Sequence, residues 1–328
     1  MKPAKNLLLL LCALLLVSPA VAQDDKPISL RPAWNVGQAS SYSFWSKMEK
    51  KETAQLPNGP RSQTTTYVSE GETSWTVDQV NDDGTFACTM RITKLKITIT
   101  AGEAEPVVID SENPSGESPM FDQLIGAMVQ TPLKVSVNAD GTVASVGGVD
   151  ELTAAAGREV ADAGAVPDEL DFKETASDLA TLMAAPAEAT PGQTWSVKNT
   201  WNQDSVLPQL DATSDWDTTF TFESLGSMQG VPIATIKTQS DVDIKIDLSE
   251  LPENEAEIDV QIDQGKASGE IFFDLSRHET VARNDSMSYT ANVTITPPTD
   301  RIPPIRITIQ QKQHSQLLRI SESSSDVE

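Results

Sequence analysis

Trp75–Thr100 reads WTVDQVNDDGTFACTMRITKLKITIT, and its pattern decides the fold. Apolar and polar residues alternate on both sides of Asn81-Asp82-Asp83-Gly84. Period-two alternation marks a half-buried strand, and an Asp-Gly step between two such runs marks a tight hairpin, because glycine accepts positive φ. The same idea returns at Thr219–Leu248, TFTFESLGSMQGVPIATIKTQSDVDIKIDL, with Gly230 in the place of Gly84. Val36-Gly37-Gln38 precedes the first unit and Pro191-Gly192-Gln193 the second, with Trp45 and Trp201 following at similar distances. The first unit is longer, and Ala54–Ser62 (AQLPNGPRS) reads as its extra loop. An internal duplication of an antiparallel unit is the expectation.

The flanks carry the same grammar. Tyr42, Phe44, Ser46 and Met48 share one strand face, while Ser43, Trp45, Lys47 and Glu49 form a wetter opposite face. Thr64–Val68 resumes β-branched character. Asn138-Ala139-Asp140-Gly141 repeats the turn between Leu133–Val137 and Thr142–Val146. A calcium loop would need the ligand spacing of an EF-hand, which neither Asp-rich turn continues into. Alternation recurs through Val242–Leu248, Ile271–Leu275, Met287–Ile295 and Ile305–Ile309. Glu250–Asp259 reads as a solvated acidic turn, and Pro297, Pro298, Pro303 and Pro304 bracket a loop.

Between the two β-rich halves the period becomes helical. Ser118 is placed to cap and Pro119 to take the first helical position. Met120, Phe121, Leu124, Ile125, Met128 and Val129 then make one apolar stripe. Further helices are predicted over Val149–Ala161 and Glu174–Ala184, the latter turning Leu179, Leu182 and Met183 inward, and Pro186 and Pro191 end the run. The predicted fold is mainly β: an antiparallel curved sheet, half-barrel or sandwich, with an internal duplication and a helical insertion between the halves. Its parts are a signal peptide over 1–22, a first half over 23–117 and an insertion over 118–185 with a hairpin near 133–147. A second half over 186–320 and a disordered acidic tail over 321–328 follow.

Compartment follows from the first residues. Lys2 and Lys5 precede the apolar run Leu7–Val17, and Ala20-Val21-Ala22 offers small residues for cleavage. That run spans about 16 Å as a helix, against a hydrocarbon core of about 30 Å, so a membrane anchor is not expected. Cys12 lies inside the run rather than at its end, which argues against a lipid-anchored cysteine. The expected product is exported, periplasmic or extracellular, with no transmembrane segment after cleavage. The whole chain carries 48 Asp+Glu against 24 Lys+Arg, a formal net charge of −24, which repels nucleic acid and anionic lipid heads. Cys88 is the one cysteine beyond the leader, so stability must come from an apolar core rather than an internal disulfide. Set among Phe86, Ala87 and Met90, it reads as a buried, inert thiol.

Chemistry is sparse. His278 and His314 stand apart, no zinc-protease, nucleophile-elbow or phosphate-loop pattern appears, and no cofactor or metal is expected. Asp241, Asp243 and Asp247 fall on one strand face, where a carboxylate hydrolase or a cation site has the needed groups. With Lys245 interleaved, the plainer reading is a solvated face. Trp45, Trp195 and Trp201 are candidates for stacking on sugar rings, against the competing role of core packing. Met120, Phe121, Leu124, Ile125 and Met128 are the candidate lining of an apolar-ligand cavity, against the competing role of filling the gap between helix and sheet. Asn284-Asp285-Ser286 and Asn292-Val293-Thr294 are glycosylation sequons, relevant only where the host modifies them.

Trp34-Asn35-Val36-Gly37-Gln38, Leu133–Gly148 and Pro191-Gly192-Gln193-Thr194-Trp195 together resemble an exported bacterial β-rich family of unknown function. This chain has Gln193 where Asp often follows the second glycine. The resemblance implies an exported β-rich fold and brings no catalytic residues. The expected role is a non-catalytic binding or structural protein whose partner is an unknown protein or an apolar small molecule. A carrier of a lipid or other apolar molecule, held between sheet and helix, is the second reading, and a carboxylate-based hydrolase the third.

Overall fold

The computed structural model describes residues 18–19, 26–56, 58–116, 118–162, 166–167, 169–203, 212–246, 257–297 and 303–320. The remaining leader residues, Asp247, Glu250 and the tail 321–328 lie outside them, as do the side chains of Leu179 and Trp201.

The strands form one open antiparallel sheet. β1 (Ala39–Leu56), β2 (Gly59–Val80) and β3 (Phe86–Ala101) make a first meander. β4 (Val107–Asp110) and the hairpin of β5 (Leu133–Val137) and β6 (Val143–Gly147) extend its edge. β7 (Thr194–Gln203), β8 (Ala212–Met228) and β9 (Val231–Ile246) make a second meander. β10 (Glu257–Ile262) and β11 (Gly265–Asp274) share an edge of β12 (Glu279–Thr296). β13 (Ile305–Ile320) lies between β12 and β1 and joins the halves. The order is β8-β9-β11-β12-β13-β1-β2-β3-β5-β6, with β7 beside β8, β10 beside β12, β4 beside β3, and a two-residue bridge from Ser18–Pro19 to β8.

The repeat seen in sequence is a repeat of hydrogen bonds. Gly37 (φ +81°) donates to Val77 O at 2.8 Å, and Val77 donates to Gln38 O at 2.9 Å. Gly192 (φ +89°) donates to Phe222 O at 2.6 Å, and Phe222 donates to Gln193 O at 2.9 Å. The Gln38 and Gln193 side chains each accept a backbone N–H three residues upstream, from Asn35 and Thr190, at 3.2 Å. Each Gly-Gln step is thus a turn that docks the chain onto the middle strand of its meander.

The two Asn-x-Asp-Gly-Thr turns are also alike. Asp83 Oδ1 accepts the Thr85 amide (3.0 Å) and hydroxyl (2.7 Å), and Asp140 Oδ1 accepts the Thr142 amide (2.9 Å) and hydroxyl (2.6 Å). The threonine hydroxyls, then the amides, hold both carboxyls below their ordinary value. Turn formation occupies these oxygens.

Several boundaries differ from the sequence reading. Within Ala54–Ser62, Ala54–Leu56 and Gly59–Ser62 are strand, with Gln55 paired to Pro60 and Leu56 to Gly59. Ser118 accepts the Asp122 amide through its carbonyl but makes no side-chain cap. The helices are α1 (Pro119–Gln130), α2 (Val149–Ala156), α3 (Arg158–Asp162) and α4 (Glu169–Ala180), followed by a 3₁₀ turn at Thr181–Ala184. Gly157 (φ +82°) splits the expected Val149–Ala161 helix, where a Cβ would meet Gln123 Nε2 at 2.7 Å. Glu257–Asp259 is strand rather than solvated turn, paired with Thr294–Thr296.

One sheet face carries most of the core. Tyr42, Trp75, Cys88, Met90 and Leu133 pack with Leu124 of α1, Leu152 of α2 and Phe172 of α4. Leu95 and Ile109 pack with Ile125, Met128 and Val129 of α1. In the second half Phe220, Phe222, Ile236, Ile271 and Phe273 are covered by Leu30 and Leu182. Toward the other strand ends, Val242, Ile244, Tyr289, Val293 and Ile309 form a further cluster.

Candidate functional site

Alternation that sends Tyr42 and Phe44 to the core sends Ser43 and Trp45 to the opposite face. Register then lines up Trp45 with Gln316 on β13 and Glu70 on β2, Glu70 with Lys96 on β3, and Glu72 with Lys94. These side chains wall a hollow of about 460 Å³. Its floor reaches the backbone of Gly71, where a Cβ would meet the Phe44 ring at 2.6 Å from the core side. Lys94 Nζ pairs with Glu72 Oε1 at 2.9 Å and Lys96 Nζ with Glu70 Oε1 at 2.8 Å. Hydrogen bonds to these glutamates raise both lysine pKa values.

A second hollow of about 410 Å³ adjoins the first at Gln316. Lys237, Gln239, Glu270, Asn284 and His314 line it, and Lys237 pairs with Glu223. Together they form one polar groove across the sheet, in whose first hollow Glu70, Glu72, Asp110 and Glu112 outnumber Lys94 and Lys96.

The residues singled out in sequence scatter. Leu124 and Ile125 are buried in separate core clusters, Met120 and Met128 pack against them, and Phe121 is 39 % exposed. None of the five lines either hollow. Trp195 stacks on Phe220 at 5.3 Å, so it serves the core. Asp241 and Asp243 are 55 % and 70 % exposed, paired with Lys266 and Lys245 respectively. His278 sits edge-on to Phe273 at 6.1 Å, away from His314 in the second hollow. Among the described residues no group of three or more His, Cys, Asp and Glu is placed to hold a metal ion.

Sequence reasoning missed a buried ionic cluster at the seam of the halves. Glu279, with no exposed surface, accepts the Ser40 hydroxyl at 2.6 Å and pairs with Arg277 Nε at 2.6 Å and with Arg319. Asp274 accepts the Ser276 hydroxyl (2.6 Å) and the amides of Ser276 (2.8 Å) and Arg277 (3.1 Å), and pairs with Arg319 Nη2 at 3.3 Å. Burial, then the Glu279 charge, raises the pKa of neighbouring Tyr42. The one local signal was Asp274-x-Ser276, a side-chain-to-backbone turn. Every carboxylate here is engaged, which makes the cluster a fastening rather than a reactive centre.

An open antiparallel sheet with helices packed on one face and a polar groove on the other is the class these features define. The chain belongs to the family of unknown function DUF6263, which matches residues 83–277. No curated protein matches it. Among solved structures, lipovitellin, in a study of its lipid–protein interactions, is 11 % identical, with 89 % of this chain covered and a TM-score of 0.42. This chain spans only 26 % of that one. The COG4313 outer membrane channel from Pseudomonas putida F1 is 9 % identical, covering 91 % of this chain and 100 % of that one, with a TM-score of 0.20. Pseudomonas putida OprB is 6 % identical, covering 84 % and 94 %, with a TM-score of 0.19. At such scores none of these likenesses bears on what the chain binds. No described helix is long and apolar enough to cross a membrane.

Proposed function

We propose that the protein is exported and acts by binding, without chemistry of its own, and that the groove meeting at Gln316 holds the ligand. The observation that carries this reading is the pair of adjoining hollows of about 460 and 410 Å³. Each falls within the range of about 300–1,000 Å³ usual for ligand sites. Both lysines of the first hollow are held by its glutamates, which suits them to holding rather than reacting. The leader over 1–22 supports export.

The test is mass spectrometry of small molecules released from protein purified from its native host, followed by hydrogen exchange on re-addition. Slowed exchange at 43–45 and 314–318 is expected. Slowing confined to α1, or none anywhere, removes the assignment.

A carrier of apolar molecules is the second reading, and one observation favours it. Met48, Tyr67, Ile99 and Val107 form a cross-strand row on the core face, outside every core cluster, with Val107 46 % exposed. A lipid among the released molecules, with slowed exchange along this row, selects that reading.

A further inference from the structure

The tryptophans of the described residues are nearly all accounted for by packing. Trp34 meets Phe86 at 5.2 Å, Trp75 is buried, Trp195 stacks on Phe220, and Trp216 packs with the Val242 cluster. Trp45 belongs to no core cluster and no ring pair, and lines the larger hollow instead. A large apolar ring on a wet face costs solvation unless something covers it.

The surroundings restrict what that cover is. Across the strands from Trp45 stand Gln316 and Glu70, and Glu70 is held by Lys96 at 2.8 Å. An anionic ligand meets the carboxylates of Glu70, Glu72, Asp110 and Glu112 in the same hollow, and the net charge of −24 repels it further. A neutral polyhydroxylated ring meets no such repulsion and leaves the Glu70–Lys96 pair intact. Its C–H face covers the indole, while its hydroxyls donate to the free lone pairs of Glu70 and to Gln316 Oε1 and accept from Lys96.

We infer that Trp45 is the stacking platform of a subsite for a neutral oligosaccharide, with Glu70, Lys96 and Gln316 as its hydrogen-bonding rim. This inference rests on the binding reading above.

The test is calorimetric titration of the mature protein with neutral cello-, xylo-, malto- and chito-oligosaccharides, with acidic oligouronates alongside. Wild type, Trp45→Ala and Trp45→Phe are compared, with circular dichroism to confirm folding. Saturable binding of a neutral series is expected, weakened about tenfold or more by Trp45→Ala, as for an aromatic anchor, and largely kept by Trp45→Phe. Binding of no neutral oligosaccharide, equal binding by Trp45→Ala, or preference for the oligouronates overturns it. If hydrogen exchange places a native ligand in the groove while the oligosaccharides fail, this inference falls and the binding reading stands. If both fail, both fall.

Discussion

Asp274 shows how a single carboxylate ties this protein to pH. Burial alone would raise its pKa, but the Ser276 hydroxyl, the Arg277 and Ser276 amides and the Arg319 charge outweigh that, leaving it below the ordinary 3.8. A depressed carboxylate contributes stability above its unfolded pKa and loses it as pH falls through the folded one. Stability should therefore decline below about pH 4. Asp274→Asn should cost about 3 kcal/mol at pH 7, since Arg319 then loses a buried partner, and should flatten the acid slope. Urea denaturation at pH 7 and pH 3 checks both. Cys88 gives a second measurement at this scale. Burial, with the Asp78 charge adding, pushes its thiol up to about 12, so the folded protein should resist iodoacetamide at pH 8 and react once denatured, read by intact mass. The thiol's burial was legible from its apolar strand neighbours. The ionic cluster was not, because Ser40, the Asp274–Glu279 hairpin and Arg319 come from distant stretches and meet only through strand register.

Among the elements, the segment before β1 does more than its sequence advertised. Ile28 and Ala189 exchange backbone hydrogen bonds at 2.9 and 2.8 Å, and Arg31 Nε donates to Ala185 O at 2.6 Å. Between them Leu30 is fully buried against Leu182 and the second-half core. Leu30→Ala should cost about 3 kcal/mol, measured by chemical denaturation. Such a strap has no periodicity to read. The hairpins were legible because Asp-Gly and Gly-Gln steps are local signals. The β1–β2 connection was not, since loop-like composition yielded to a long ladder that pairs the strands as far as Leu56 and Gly59. Strand alternation also foretold that Trp45 faces away from the core, whereas its groove depends on register between β13, β1 and β2, which one strand cannot reveal.

For the molecule as a whole, the decisive feature is where β13 sits. It pairs with β12 along one side and β1 along the other, so neither half has a finished sheet without it. Urea unfolding should appear as one transition, with tryptophan fluorescence and far-ultraviolet circular dichroism coinciding. Deleting Ile305–Ile320 should bare two long edges and yield aggregates by light scattering. The same placement bears on how the chain matures. β2 follows β1 directly and pairs with it, whereas the other edge of β1 stays open until β13 is made, after the other described strands. The central seam therefore closes only once both meanders have been made.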